Sequence, residues 1–185
     1  MKEKVILIAS TKGGCGKTLI ADELAFAFDR EKVPYSLYDL DQQGGLIHAP
    51  KETPKAKVSI VDTPGALQSD MVTWMRSADL VIIPTKMTTR DVPPLITIID
   101  LMEQNKIKAK QIFVLNGWNR YRAAKEFAEW FNDAYPGKVT VEISQSEAFT
   151  QAALNGQSVV DYQRSSTPAQ QILRLIDLAK SAINL

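Results

Sequence analysis

The sequence lacks most of the features that point to a secreted, membrane-spanning or disulfide-stabilised protein. Cys15 is its only cysteine, which excludes a disulfide framework and a cysteine-based metal site within one chain. No apolar run approaches the roughly 20 residues that span a bilayer. The apolar stretch after the first lysines is too short for a signal sequence. We therefore expect a cytoplasmic protein, because a reducing compartment suits a chain with a single thiol.

Neither sign of charge is in excess. The 22 lysines and arginines nearly balance the 21 aspartates and glutamates, so the formal net charge is +1. This balance gives no argument for a nucleic acid or a membrane as partner, and any such binding has to come from a local basic patch. The chain has no internal repeat and no linker, and its 185 residues are enough to bury one core. We expect a single domain over residues 1–185.

Short, β-branched apolar runs alternate with helical patterns along the chain. The predicted strands are 5–10, 35–40, 58–62, 80–84, 111–116 and 139–143. Most are continuously apolar, as strands buried on both faces are. The predicted helices are 18–31, 67–77, 92–105, 121–133, 146–154 and 168–185. This alternation predicts an α/β fold with a doubly wound, mostly parallel sheet and helices on both faces.

The segment TKGGCGKT, residues 11–18, follows the first predicted strand and opens the first predicted helix, as a phosphate-binding loop does. Glycines let consecutive backbone N–H groups surround phosphate oxygens, and the start of the helix adds its own N–H groups. In such a loop Lys17 reaches the β- and γ-phosphates and Thr18 places its hydroxyl on Mg²⁺. The usual pattern G-x-x-x-x-G-K-[ST] fails at its first position, where Thr11 stands, and Lys12 is an additional lysine.

The loop reads K-G-G-x-G-K-T and resembles the deviant phosphate loop of the ParA/MinD family of ATPases. The resemblance implies that ATP is bound by Lys12, Gly13, Gly14, Cys15, Gly16, Lys17, Thr18 and Leu19. It also implies that Lys12 crosses to the partner subunit and neutralises charge on the partner's nucleotide in the transition state. Hydrolysis would then depend on a face-to-face, ATP-bound homodimer.

Carboxylates follow two other predicted strands. Asp62, in IVDTPG, ends the third strand and suits the Mg²⁺ shell, although a strand-capping aspartate that begins a turn is the purely structural alternative. In YDLDQQGG, Asp41 matches the second aspartate of the family pattern D-x-D-P-Q-G, which orients or activates the attacking water. The resemblance therefore assigns catalysis to Lys12, Lys17 and Asp41, with Gln42 standing where the family has proline. The following segment, 42–57, is rich in Gly, Pro and Lys and is predicted to be a surface loop, shorter than in typical partition ATPases.

The likeness extends over nearly the whole chain. The segment FVLNGWN ends a strand at Asn116, where family members contact the adenine ring, and a turn-capping asparagine is the competing interpretation. Residues 78–95 and 146–172 resemble the family's later blocks.

Members of the family differ in what the ATP-bound dimer holds. A partition-type switch binds DNA without sequence preference, and a ParB-like or other adaptor stimulates hydrolysis and release. The candidate DNA-binding residues are Arg120, Arg122, Lys125, Arg164 and Arg174, and an ordinary solvated helix face explains them equally well.

Four other roles are considered. A MinD-like membrane switch is disfavoured because the final helix is only weakly basic, so we expect no membrane partner. An iron–sulfur carrier is disfavoured because Cys15 belongs to the phosphate loop. Ligases such as dethiobiotin synthetase share the fold but do not require Lys12. A positioning ATPase for conjugation or secretion machinery is chemically the same as the partition switch, so both stay open.

Overall fold

The computed structural model describes residues 2–41, 44–65 and 70–185. Six strands form one sheet in the order β2-β3-β1-β4-β5-β6. Their bounds are β1 (Lys4–Ile8), β2 (Tyr35–Asp39), β3 (Val58–Asp62), β4 (Leu80–Lys86), β5 (Lys110–Trp118) and β6 (Val139–Ser144). Every neighbouring pair is parallel, which confirms the predicted doubly wound sheet.

Helices connect the strands and cover the sheet. Their bounds are α1 (Lys17–Arg30), α2 (Met71–Ser77), α3 (Val92–Gln104), α4 (Arg122–Ala134), α5 (Glu147–Leu154), α6 (Val159–Tyr162) and α7 (Thr167–Ile183). The first part of the helix predicted over 67–77, residues 67–69, lies outside the described residues. The short α6 and a 3₁₀ turn over Thr89–Asp91 had no sequence signal, because three or four residues cannot display a helical period.

The strands separate two hydrophobic cores. Ile6 and Ile8 of β1 pack with α1, α5, α6 and α7, whereas Leu7 between them packs with α2, α3 and α4. Successive strand residues point to opposite faces, so a strand covered by helices on both sides is apolar throughout. This arrangement explains the continuous apolar runs of the sequence.

The register of the sheet brings three strand ends to the same level. Asp62 at the end of β3 pairs with Ile8 at the end of β1 and with Asp39 at the end of β2. The loops after these strands therefore meet at the carboxyl edge of the sheet, where ligands of such folds bind. The described part of the predicted loop, 44–57, lies on the surface. It is joined to β2 by one antiparallel bridge, from Lys51 to Leu37.

Candidate nucleotide site

The glycine-rich segment forms a loop that ends on the first turn of α1. Gly14 (φ +71°) and Gly16 (φ +104°) have left-handed backbones, and Gly16 is the N-cap of α1. Glycine adopts this conformation without the steric penalty that a Cβ imposes. No side chain among the described residues caps the start of α1, so the N–H groups of its first turn are left for a phosphate beside Lys17.

The chain after β3 packs closely against this loop. A Cβ atom at Gly65 would lie 2.7 Å from Gly13 Cα and 3.0 Å from Gly13 N, so only glycine fits there. The turn Thr63-Pro64-Gly65 thus forms one wall of the site.

The loops after β1, β2 and β3 enclose a cavity of about 480 Å³. It is lined by Gly13, Gly14, Gly16, Lys17, Thr18, Asp41, Gly44, Pro64 and Gly65. This volume lies within the usual range of small-molecule sites. The structure thereby brings together the predicted phosphate loop and the predicted water-orienting Asp41.

Asp62 lies beneath the cavity and is fully buried. Thr18 Oγ1 donates to its Oδ2 at 2.8 Å, while Oδ1 has no hydrogen-bond partner among the described residues. The pKa of Asp62 is raised to about 6, chiefly by burial. The Thr18 hydrogen bond and the charge of Lys17 lower this pKa, whereas the charges of Asp39 and Asp41 raise it.

A buried, unpaired carboxylate oxygen beside a threonine hydroxyl fits a hard cation such as Mg²⁺. Within 2–41, 44–65 and 70–185, no three His, Cys, Asp or Glu side chains are grouped to hold a metal by themselves. Mg²⁺ bound here would therefore take its other ligands from water and phosphate, as it commonly does.

Lys12 points away from the cavity. Its Nζ lies 2.5 Å from Asp91 Oδ1, at the N-cap of α3 in the same chain. The Lys12 side chain is 38% exposed, whereas that of Asp91 is 3% exposed. Thr11 Oγ1 adds a second contact by donating to the Pro94 carbonyl at 2.9 Å. Residues 11–12, which we call the lysine arm, are therefore held on α3.

Sequence reasoning missed Asp91 as the partner of Lys12. The sequence around Asp91 indicates only the start of a helix, because an aspartate precedes Pro93 and Pro94. It gives no indication of a contact with Lys12. The contact joins the loop after β4 to the loop after β1, and only the order of strands brings these loops together.

Asn116 supports the phosphate loop directly. Its Nδ2 donates to the Cys15 carbonyl at 2.8 Å, and a Cβ at Gly16 would lie 2.2 Å from the same nitrogen. Cys15 is buried, and Leu19 is half-buried on the first turn of α1. Contacts of Asn116 with adenine and of Leu19 with ATP stay predictions.

The five candidate DNA-binding residues fall into two groups, all of them exposed. Arg120, Arg122 and Lys125 lie at the start of α4, on the sheet face covered by α2, α3 and α4. Arg164 and Arg174 border a depression beside Glu31 and α7, on the opposite face. A single chain therefore does not gather them into one patch.

A protein-family model described as the CobQ/CobB/MinD/ParA nucleotide binding domain matches residues 6–159. An uncharacterised ATP-binding protein of Methanocaldococcus jannaschii is 27% identical over 123 residues. That match covers 64% of this chain and 44% of the relative, so the chain spans less than half the length of this relative.

Solved structures share the fold over nearly the full chain. The ATP complex of a Cyanothece McdA variant has a TM-score of 0.81 at 15% identity, covering 99% of this chain and 97% of that one. The septum site-determining protein MinD of Pyrococcus horikoshii, complexed with Mg-ADP, has a TM-score of 0.74 at 16% identity, and both chains are covered completely. A ParA family ATPase of Chlorobium tepidum has a TM-score of 0.77 at 16% identity, covering 95% and 99% of the two chains.

Proposed function

Because the chain belongs to the CobQ/CobB/MinD/ParA family of nucleotide-binding domains, we propose that it is an ATP-driven dimerisation switch with slow, Mg²⁺-dependent ATP hydrolysis. The observation that carries the proposal is the cavity in which a glycine loop, Lys17, Thr18 and Asp41 converge above buried Asp62. The Mg-ADP and ATP complexes of the MinD and McdA relatives support the choice of nucleotide and metal.

The residues divide the work of hydrolysis. The loop N–H groups and Lys17 bind the phosphates, and Thr18 and Asp62 hold Mg²⁺, which neutralises phosphate charge when bound. Asp41, which also lines the cavity, orients the attacking water.

Lys12 makes the reaction depend on a second copy. In the single chain its ammonium group is paired with Asp91, so it supplies no charge to the cavity. A face-to-face dimer with bound ATP offers Lys12 the partner's phosphates in place of Asp91. Hydrolysis removes that attraction, and the dimer then separates.

We further propose that the ATP-bound dimer acts in DNA partition by binding DNA without sequence preference, with a ParB-like or other adaptor that stimulates hydrolysis. Arg120, Arg122 and Lys125 follow β5 at the same sheet edge as the nucleotide cavity, so ATP-dependent dimerisation would bring two such groups together. None of the helices in the described ranges has the length and apolar content needed to cross a membrane.

The test measures molecular mass and DNA binding of one preparation with ATP, ADP or no nucleotide, at several salt concentrations. We expect a dimer only with ATP, and duplex binding only by that dimer, weakening steeply as salt rises. A monomer with ATP would contradict the switch. An ATP dimer that does not bind DNA but associates with anionic liposomes would contradict the partition role and leave the dimerisation switch supported.

A further inference from the structure

Helix α1 carries a buried carboxylate that the proposed reaction does not use. Asp22 lies one turn after Thr18 and does not line the nucleotide cavity. Its side chain is 6% exposed, and its two oxygens accept bonds from the backbone N–H of Ile47 (2.9 Å), the backbone N–H of His48 (3.1 Å) and His48 Nδ1 (2.8 Å). A buried carboxylate is costly unless several donors surround it, as they do here.

These bonds attach residues 44–51, which we call the strap, to the surface of α1. The His48 ring stacks edge-on against Phe26 with centroids 4.2 Å apart, and its Nε2 lies 3.4 Å from Asp29 Oδ2. Farther along, Lys51 exchanges two backbone hydrogen bonds with Leu37 of β2. The strap is therefore held between α1 and β2, although its sequence predicts only a loop.

The start of the strap is part of the nucleotide site. Gly44 lines the cavity together with Asp41, and its N–H donates to the Asp41 carbonyl at 3.0 Å. Gly45 passes beside Thr18, since a Cβ there would lie 3.6 Å from Thr18 Cγ2. Both glycines have left-handed backbones, with φ of +69° and +124°. Only one residue separates Gly45 from the first residue bound by Asp22.

We propose that Asp22 is a positioning residue for ATP hydrolysis: by fixing Ile47 and His48 on α1 it holds Gly44, and through the Gly44–Asp41 hydrogen bond also Asp41, against the phosphate site. The role rests on the proposed function, in which Asp41 orients the attacking water. Helix α1 begins with Lys17 and Thr18 and also carries Asp22, so one rigid element sets the distance between the bound phosphates and the hydrogen-bonded pair Asp41 and Gly44. Small displacements of a reacting group reduce rates strongly, whereas phosphate binding depends on the loop N–H groups and Lys17, which Asp22 does not contact.

Substitution of Asp22 should lower the rate of ATP hydrolysis much more than the affinity for ATP. In Asp22→Ala the two backbone N–H groups lose their acceptor, and in Asp22→Asn an NH₂ group replaces one of the two accepting oxygens and cannot accept from an N–H. We expect kcat to fall roughly tenfold or more in Asp22→Ala and by less in Asp22→Asn, with KM for ATP changing by less than about threefold.

Asp29→Asn is the matched control. Asp29 lies on the same helix and contacts the same histidine, but at 3.4 Å and from a half-exposed side chain. We expect its kcat and KM to stay close to those of the parent protein. The experiment measures steady-state hydrolysis, ATP binding and melting temperature for all four proteins.

Each failure has its own signature. A parent protein that binds ATP without hydrolysing it would overturn the proposed function and this role with it. An active parent whose Asp22→Ala variant keeps the same kcat would overturn the role of Asp22 alone. Parallel loss of ATP binding, hydrolysis and melting temperature would also overturn it, because the carboxylate would then serve only the fold.

Discussion

Two segments flank the nucleotide cavity, and they are held in opposite ways. The lysine arm, residues 11–12, rests on α3 through a partly exposed ion pair and one hydroxyl contact. The strap, residues 44–51, is bound to α1 by a buried carboxylate that accepts from two backbone N–H groups and an imidazole. The Lys12 ammonium group, which has to reach a second subunit, can be solvated by water when its ion pair breaks. The strap, which has to stay in place, is held by buried hydrogen bonds.

The energies of these contacts support the contrast. Breaking the Lys12–Asp91 pair frees an ammonium group that water stabilises, but it leaves one oxygen of buried Asp91 without its partner, so it costs about 1–3 kcal/mol for that single group. Releasing the strap leaves buried donors and a buried carboxylate unpaired, at about 1–3 kcal/mol for each group. The lysine arm can therefore exchange partners at a cost that ATP-bound dimerisation is able to offset, whereas the strap stays in place.

Lys12→Ala tests the role of the lysine arm and has the largest expected effect. The variant keeps the glycine loop, Lys17 and Thr18, so we expect ATP binding within a few-fold of the parent. It loses the charge offered to the partner's nucleotide, so we expect no ATP-dependent dimer and a fall in hydrolysis of about 10³-fold or more. Sedimentation with ATP and single-turnover hydrolysis measure the two effects.

A Lys12→Ala variant that hydrolyses ATP at the parent rate as a monomer would contradict the trans role of the lysine. Lys86→Ala is the control, because Lys86 is exposed at the end of β4 and does not line the cavity. It should dimerise and hydrolyse ATP like the parent.

Asp41→Ala tests the role of the carboxylate that the strap holds at the cavity. Removing the carboxylate leaves the phosphate loop and Lys12 intact, so the ATP dimer should still form. Without a group to orient water, we expect hydrolysis to fall roughly 10²-fold and the dimer to persist. Dimer lifetime after dilution into excess ADP measures the trapping. Hydrolysis at the parent rate would show that another group positions the water.

The sequence was sufficient to predict the sheet, because strands buried on both faces leave continuous apolar runs. All six strands and the six longer helices lie where the pattern indicates, with every end within two residues of the prediction except the start of α2, which lies at Met71 instead of residue 67. Residues 67–69 lie outside the described residues. The position of the glycine loop between β1 and α1 was also predictable, since strand, glycines and helix follow in a fixed order, and the register of β1 and β3 places Asp62 beside that loop. The phosphate and metal roles of these residues stay predictions.

The contacts that hold the two segments were not predictable from the sequence. Lys12 and Asp91 are 79 residues apart, and Asp22 and His48 are 26 apart. Helical periodicity marks Asp22 only as a polar residue of α1, and a loop rich in Gly and Pro gives no register against a helix. Such pairs depend on the packing of the loops at the carboxyl edge, which a single sequence does not encode in a local pattern.

Asp91→Asn has the smallest expected effect and bears on the restraint of the lysine arm. The amide keeps an oxygen for Thr88 but loses the charge that holds Lys12, so the ammonium group is free before dimerisation begins. Each dimer breaks two such pairs, and at the lower end of the cost of breaking them, about 1 kcal/mol each, the ATP-dependent association constant should rise roughly 30-fold. Thr11→Val removes the hydroxyl contact with Pro94 but leaves the ion pair, so its association constant should change by less than about threefold. Sedimentation with a non-hydrolysable ATP analogue compares both variants with the parent. A weaker dimer for Asp91→Asn would mean that the carboxylate stabilises the closed dimer, in which case the pair with Lys12 is not a restraint that dimerisation has to remove.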